Sequence, residues 1–137
     1  MLKSLRNQRG MTLFEIIIVL VIVTSVASLL FKTVNSNMQK AKLNETKLRM
    51  SELSKSVEQY YADCGSYPQT LIDLKQQSSN CTNWGPVAYA KDDTLRDAWK
   101  FQFQYQVEGS RYTITSLGAD KQPGGDGYNA DITSSDQ

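Results

Sequence analysis

Hydrophobic and polar positions divide the sequence into a short basic segment, a long apolar segment and a mixed remainder. Residues 1–10 carry three cations and no acidic residue, whereas residues 11–31 carry one charge, Glu15. These 21 apolar-rich residues would span about 31 Å as a helix, which matches the ~30 Å hydrocarbon core of a bilayer. The pattern therefore predicts a membrane-spanning helix. The basic flank predicts that its N-terminal end stays cytoplasmic.

Beyond this segment the chain becomes amphipathic. No Pro or Gly occurs between Met11 and Gly65, which predicts a single helix from about Thr12 to Tyr61. Apolar side chains recur at mostly three- and four-residue steps, the period of a helix. They are expected to form a stripe that a globular head covers: Val34, Met38, Ala41, Leu48, Leu53, Val57 and Tyr60.

The second half of the chain has the pattern of a small antiparallel sheet. Residues 100–107 alternate strictly between polar and apolar, a turn follows at 108–110, and 111–117 form the return strand. Residues 86–90 are a weaker strand candidate, and Thr70 is placed to cap a short helix. Because such a sheet has one apolar face, the helix stripe must cover it. The predicted fold class is α+β, with a long N-terminal α-helix, transmembrane and then amphipathic, packed on a small sheet.

Composition excludes several classes of function. The chain has 137 residues, the length of one domain, and a net charge of +1, so it has no basic character for binding nucleic acid. It contains no histidine, which excludes Ser-His-Asp and Cys-His catalysis and histidine-bound metals. Carboxylate pairs can do acid–base work, but no pocket motif accompanies them. An enzyme is therefore not predicted, and the candidate ligands suit hard cations such as Ca²⁺.

Glu15 is the unusual residue of the apolar segment. A carboxylate near hydrocarbon is costly, and either it reaches up to the lipid headgroups or it has a cationic partner. Cleavage after Gly10 would free the α-amino group of Met11, four residues away, and that amine could neutralise Glu15 of a neighbouring copy. An ordinary secretory signal fits less well because the apolar run is too long. A simple signal anchor explains the span but not Glu15.

The N-terminal sequence resembles the signal of type IV pilins and pseudopilins. Gly10 is followed by Met-Thr-Leu-Phe-Glu and a long apolar helix, as in the family pattern of a basic leader, Gly, an apolar residue and Thr-Leu-x-Glu. The resemblance implies cleavage after Gly10 by a prepilin peptidase, N-methylation of Met11 and an assembly role for Glu15. It also implies a cleaved leader at 1–10, a transmembrane and filament-core helix at 11–33, and a periplasmic pilin head at 34–137. Met11 departs from the usual Phe.

A glycine-rich acidic segment lies near the C-terminus. Residues 116–132 contain four glycines, one proline and three aspartates, Asp120, Asp126 and Asp131. Glycine allows the tight turns that point several oxygens inward, and these carboxylates with loop carbonyls suit the six to eight oxygen ligands of Ca²⁺. The spacing is not that of an EF-hand. On composition alone, a flexible loop fits the segment as well as a calcium site does.

The same segment resembles the C-terminal loop of the major pseudopilins of type II secretion systems. Ser-Leu-Gly-Ala-Asp, Gly-Gly-x-Gly and Ala-Asp-Ile carry this likeness, together with Asp97-Ala-Trp99 and Tyr67-Pro68. The resemblance implies Ca²⁺ as a cofactor, bound by the carboxylates of Asp120 and Asp131 and the carbonyl of Leu117. Two further oxygen ligands are added from the composition of the loop itself, Asp126 and Asn129.

Two cysteines, Cys64 and Cys81, do not form a zinc pattern, because there is no second pair and no histidine. Such a pair most often forms a disulfide in an oxidising compartment and remains as thiols in the cytosol. An exported head predicts the disulfide. It would close an 18-residue loop and contribute roughly 3 kcal/mol. The pair departs from the pseudopilin pattern and is more typical of type IV pilins.

These features predict a filament-forming structural subunit, the major pseudopilin of a type II secretion system, whose periplasmic pseudopilus drives export of folded proteins. The alternative within the superfamily is a type IV pilus pilin for adhesion, motility or DNA uptake. A different class is a calcium-dependent membrane-anchored binding module that never polymerises. The resemblance implies further copies of the chain, minor pseudopilins, an inner-membrane assembly platform and a cytoplasmic assembly ATPase as partners. The expected location is the inner membrane, single-pass, with the head periplasmic.

Overall fold

A computed structural model describes residues 11–136, without the side chains of Lys32 and Asp136. One α-helix, α1, runs from Leu13 to Cys64, so the predicted helix is confirmed with its end three residues later. The helix stops at Gly65, which has a φ of +74° and donates its N–H to the Tyr61 carbonyl at 2.8 Å. Glycine adopts this left-handed conformation without a steric penalty, which makes it a frequent helix terminator.

The chain groups into two compact units, one ending at Asn37 and the other beginning at Met38. Among the described residues, one helix is long enough and apolar enough to cross a membrane, and this helix is α1. A window of α1 near the N-terminus has a mean hydropathy of 2.7. None of that window is buried. The hydroxyls of Thr24, Ser25 and Ser28 donate to carbonyls of the preceding helical turn at 2.7–3.0 Å. They therefore add no unsatisfied polar group to the apolar surface.

The sheet has three antiparallel strands in the order β1-β2-β3, namely Gln104–Glu108, Arg111–Ser116 and Ile132–Thr133. β1 and β2 form the predicted hairpin, with Tyr105 opposite Ile114, and β3 pairs Ile132 with Ser116. The first strand begins later than predicted. Upstream of it, Phe103 donates its N–H to the Leu95 carbonyl at 3.0 Å rather than to β2.

The weak strand candidate at 86–90 is wrong. These residues form bends, because the N–H groups of Tyr89 and Ala90 both donate to the Leu74 carbonyl, at 2.8 and 3.2 Å. The short helix after Thr70 is confirmed as a 3-10 helix, Leu71–Leu74. Its Asp73 carboxylate accepts the Thr70 N–H at 2.9 Å, which satisfies a backbone donor that the first turn leaves unpaired.

The core of the second unit lies between α1 and the sheet. Four apolar residues of α1 are buried at steps of three and four, Met50, Leu53, Val57 and Tyr60. They pack with buried side chains from the 3-10 helix, from β2 and β3 and from the segment before β1, including Leu71, Leu74, Phe103, Ile114 and Ile132.

The predicted stripe is wrong at its upstream end. Leu48 is 64% exposed and Met38 is 50% exposed, and Ala41 is exposed as well. Leu48 lies two residues from the buried Met50, which is about 200° around a helix of 3.6 residues per turn. The core therefore faces the opposite side of α1, and Thr46 takes the buried place that Leu48 was expected to occupy.

Tyr105 on β1 offers a test of a buried polar atom and of pH dependence. Its hydroxyl is buried without a hydrogen-bond partner, and burial, with smaller contributions from Tyr112 and Tyr67, raises its pKa above the ordinary tyrosine range. A raised pKa contributes stability that is present below pH ~10 and is lost as the pH rises further. We therefore expect Tyr105→Phe to keep or raise stability at pH 7, by up to about 1 kcal/mol, and to reduce alkaline unfolding.

Thermal unfolding of the full chain in detergent micelles at pH 7 and above pH 10 measures both effects. Tyr61→Phe is the matched control, because Tyr61 is 42% exposed and belongs to no buried cluster. A clear loss of stability in Tyr105→Phe at pH 7 would show that the hydroxyl has a partner in solution.

Candidate functional site

The acidic loop, residues 117–131, connects β2 to β3. Its base is closed by the pairing of Ser116 with Ile132. Inside the loop the Ala119 N–H donates to the Tyr128 carbonyl at 2.9 Å, and the Asn129 N–H donates to the Asp126 carbonyl at 3.1 Å. The loop is therefore a folded element with its own backbone hydrogen bonds.

Two glycines of the acidic loop are required by close approach of the backbone. Gly118 has a φ of +68°, and a Cβ there would lie 2.9 Å from backbone atoms of Asn129 and Ala130. Gly125 has a φ of +86°, and its Cβ would lie 2.5 Å from the Asn129 carbonyl oxygen. Any side chain at either position would both strain the backbone and push the two sides of the loop apart. These contacts explain two of the four glycines of the loop.

The three aspartates of the acidic loop differ in their surroundings. Asp120 is exposed and accepts the Gln122 N–H at 3.1 Å, and Asp126 is exposed. Asp131 is half-buried, and its Oδ2 accepts the Gly124 N–H at 3.0 Å. Its Oδ1 is buried and has no hydrogen-bond partner. A buried carboxylate oxygen without a partner costs free energy, so this atom is suited to a further donor or a cation.

The oxygen atoms of the acidic loop suit a calcium ion only if backbone carbonyl groups contribute as ligands. Within residues 11–136, no three Asp, Glu, Cys or His side chains come together as a metal-binding group, so Asp120, Asp126 and Asp131 do not form a carboxylate cluster. Calcium accepts backbone carbonyls as readily as carboxylates. The loop contributes backbone carbonyls from several turns, and Asp131 contributes a carboxylate oxygen without a hydrogen-bond partner. The residues present therefore fit a hard cation, with Asp131 as the central carboxylate.

A buried carboxylate that the sequence analysis used only for the family resemblance, and not as a site residue, lies beside the loop. Asp97 is 1% exposed and begins the Asp97 turn, residues 97–100. Its Oδ2 accepts the Ser116 hydroxyl at 2.8 Å, at the base of the acidic loop. The Asp-Ala-Trp sequence was the available signal, but the partner is 19 residues away. Only the fold brings Asp97 to the loop.

The N-terminal site is described in part. Gly10, the predicted cleavage position, lies outside the described residues. Met11 is 61% exposed and precedes α1, and Glu15 is exposed in the first helical turn. The Glu15 N–H donates to the Thr12 hydroxyl at 3.3 Å, which caps the helix start. The cleavage, methylation and assembly roles of these residues stay predictions.

The predicted disulfide is confirmed. Cys64, the last residue of α1, is bonded to Cys81, with their Cα atoms 5.0 Å apart. Cys81 is only 2% exposed. Close by in sequence, the Tyr89 hydroxyl donates to the Asp63 carboxylate at 2.8 Å. The end of α1 is thus attached to the following segment by a covalent bond and a hydrogen bond.

Comparison with known proteins identifies two matching families. The family described as type II secretion system protein G matches residues 33–135, and the prokaryotic N-terminal methylation motif matches residues 5–31. Core protein G of the type II secretion system from Xanthomonas campestris pv. campestris is 36% identical over 132 residues, which cover 94% of this chain and 91% of that protein. The Vibrio cholerae protein of the same name is 32% identical, covering 96% of this chain and 94% of its own length.

A solved structure has the same fold. The crystal structure of the major pseudopilin from the type 2 secretion system of enterohaemorrhagic Escherichia coli matches with a TM-score of 0.62 and 23% identity. The match covers 74% of this chain and 93% of that one. The apolar helix together with the methylation motif indicates a membrane-anchored protein. Because one family profile covers most of the chain and relatives more than 30% identical span nearly all of it, the chain belongs to the type II secretion system protein G family.

Proposed function

We propose that this chain is the major pseudopilin of a type II secretion system, a structural subunit that polymerises into a filament. The observation that carries the proposal is the succession of a methylation motif at 5–31 and a protein G match at 33–135 in one chain. A physical argument supports it. The apolar part of α1 leaves large side chains such as Phe14, Leu29 and Phe31 69–75% exposed, so lipid or other copies of the helix must cover them.

The proposed sequence of events begins in the membrane. The basic leader stays cytoplasmic, and a prepilin peptidase cleaves after Gly10 and methylates the new amine of Met11. An inner-membrane platform and a cytoplasmic ATPase then draw subunits into the growing filament, and minor pseudopilins join it. In the filament, the Met11 amine of one subunit neutralises Glu15 of its neighbour in a low-dielectric surrounding, where such a pair is strong. The heads lie in the periplasm, and growth of the filament moves folded proteins outward.

Calcium has a place in this proposal. The carboxylates of Asp120 and Asp131 and the carbonyl of Leu117 would hold the ion, and Asp126 and Asn129 are additional candidates. A bound Ca²⁺ would supply a positive charge that several loop oxygens share. What the chain itself provides is the unpartnered Oδ1 of Asp131 and a loop whose glycines bring the backbone close together. These features support the proposed site, and the proposed role of the ion is to order the acidic loop.

Complementation tests the proposed function. The gene should restore secretion to a Xanthomonas campestris strain that lacks its core protein G, with filaments visible by immunoelectron microscopy when the chain is overproduced. The two proteins are similar over nearly their whole length. Restoration of surface pili or twitching in a pilin-deficient strain, without secretion, would instead support the type IV pilin alternative. A chain that stays monomeric in the membrane would support the anchored binding module.

Calcium binding gives a separate prediction. We expect the full chain in micelles to bind Ca²⁺ in a calorimetric titration and to melt at a higher temperature with Ca²⁺ than with chelator. Calcium at about 100 times its dissociation constant stabilises by about 2.7 kcal/mol. Asp131→Ala should abolish both effects, because it removes the carboxylate whose oxygen lacks a partner. Asp120→Ala should weaken them.

Asp93→Asn is the matched control for these variants. Asp93 is an exposed aspartate outside the acidic loop, so its substitution changes the net charge equally and should leave the titration unchanged. Equal weakening in Asp93→Asn would indicate nonspecific attraction of the cation. A calcium-insensitive wild-type chain would contradict the calcium site and leave the filament proposal to the complementation result.

A further inference from the structure

A continuous set of hydrogen bonds leads from the base of the acidic loop into the Asp97 turn. The Ser116 hydroxyl accepts the Gly118 N–H at 3.3 Å and donates to Asp97 Oδ2 at 2.8 Å. Asp97 Oδ1 accepts the N–H groups of Trp99 and Phe101 at 3.0 and 2.9 Å. Asp97 and Ser116 are each 1% exposed, so water does not compete for these bonds, which are strong for that reason.

The Asp97 turn also holds α1. The Ala98 N–H donates to the hydroxyl of Thr46 at 3.1 Å, and Thr46 is fully buried. The Trp99 indole N–H donates to Gln39 Oε1 at 2.9 Å. Gln39 and Thr46 lie about two helical turns apart, on the same face of α1. The Asp97 turn therefore contacts α1 where the helix enters the second unit, which begins at Met38.

Asp97 lies between the contacts to the acidic loop and the contacts to α1. An ionised carboxylate is an acceptor on both oxygens, and Asp97 uses one oxygen for the loop side and the other for its own turn. An asparagine would turn its amide NH₂ group, which is itself a donor, toward one of those donors. We propose that Asp97 is a positioning residue that couples the folding of the acidic loop to the anchoring of α1 at Gln39 and Thr46. The proposal goes beyond the proposed function, since the coupling needs neither calcium nor a filament.

Hydrogen exchange of the tryptophan indoles measures this coupling in the full chain in detergent micelles. The Trp99 indole reports on the anchor at Gln39. The Trp84 indole, which donates to the Asp73 carbonyl at 2.9 Å, lies outside the hydrogen-bond network and is an internal control. Proton–nitrogen NMR resolves the two signals. Local opening speeds exchange at one indole, whereas global loosening speeds exchange at both.

Gly125→Ala perturbs the acidic loop without touching the network, because its Cβ would lie 2.5 Å from the Asn129 carbonyl oxygen. The matched control is Gly109→Ala at the hairpin turn, where φ is +60° and no atom lies within 4 Å of the added Cβ. We expect Gly125→Ala to speed Trp99 exchange about tenfold, the effect of loosening one buried hydrogen bond, and to leave Trp84 unchanged. Gly109→Ala should leave the ratio of the two rates unchanged.

Ser116→Ala tests whether the coupling runs through Asp97. It removes the hydroxyl that joins the loop to Asp97. In that background we expect Trp99 exchange to be fast already, and Gly125→Ala to add less than about twofold, since effects at coupled sites are not additive. Ser116→Thr keeps the hydroxyl and should restore the full response to Gly125→Ala.

Three results would overturn the proposal: no change at Trp99 in Gly125→Ala, equal acceleration of both indoles, or an undiminished response in the Ser116→Ala background. If Ser116→Ala does not fold, the comparison of the two indoles in Gly125→Ala and Gly109→Ala decides the matter alone. Acceleration confined to Trp99 in Gly125→Ala then supports the coupling, and any other pattern contradicts it.

Discussion

Replacing Glu15 with alanine is expected to abolish filament assembly while leaving the chain in the membrane. Glu15 is the one charge among residues 11–31, and in the proposed filament it neutralises the amine of Met11 from a neighbouring subunit. Removing one partner of a buried ion pair leaves the other charge uncompensated, which costs about 3–5 kcal/mol. At each subunit contact that corresponds to a hundredfold or greater loss of affinity. The number of filaments seen by electron microscopy and the amount of secreted protein should both fall to background.

The matched control for this variant is Glu52→Ala. Glu52 is an exposed glutamate on the same helix, in the second unit, so its removal changes the charge equally and should preserve assembly. Glu15→Ala must still fractionate with the membrane, because the substitution makes the span more apolar. Normal filaments in Glu15→Ala would contradict the proposed pairing with Met11. Failure of both variants would point to a general charge requirement.

The helix and the hairpin were predictable because burial follows their sequence period. Phe103 is an apolar position of the alternating run 100–107 and Ile114 lies on the return strand, and they are 3% and 0% exposed, respectively. Long runs of alternation or of three- and four-residue steps reflect which face meets the core. In these elements the local pattern and the tertiary packing have the same cause.

Features decided by distant contacts were not predictable. Leu48 is apolar but faces away from the core, because the buried stripe passes through Thr46 and Met50 instead. The two-residue strand β3 is too short to show a period. Residues 86–90 have strand-like composition, yet the N–H groups of Tyr89 and Ala90 are used by the Leu74 carbonyl. In each case the outcome depends on which backbone or side chain arrives from elsewhere in the chain.

The candidate site was predictable in its parts and not in its connections. The glycines and aspartates of the acidic loop stood out by composition, and the close approaches at Gly118 and Gly125 explain why glycine is needed there. Nothing in the sequence indicated that Asp131 would have one bonded and one unpartnered oxygen. The bonds of the Asp97 turn likewise join residues 19 and 52 positions apart, beyond the range of any local pattern.

Loss of the disulfide is expected to have the largest effect on the stability of the head. Cys64 and Cys81 are 17 positions apart. Without the bond the unfolded chain gains the entropy of a loop of this length, which lowers the stability of the fold by about 3 kcal/mol in the chain-entropy description. For a domain of about 100 residues that lowers the melting temperature by roughly 12–24 °C. The double variant Cys64→Ala with Cys81→Ala tests this by thermal unfolding, without leaving a reactive thiol.

A reductant supplies the control for the double variant. It should destabilise the wild-type chain by about the same amount and have no effect on the variant, because the variant has no bond to reduce. A loss below about 1 kcal/mol would show that noncovalent contacts already hold the segment after α1. The buried Leu71 and Leu74 and the capping of their short helix by Asp73 are the contacts that could do so. The disulfide would then add little to the stability of this segment, and its presence would need another reason.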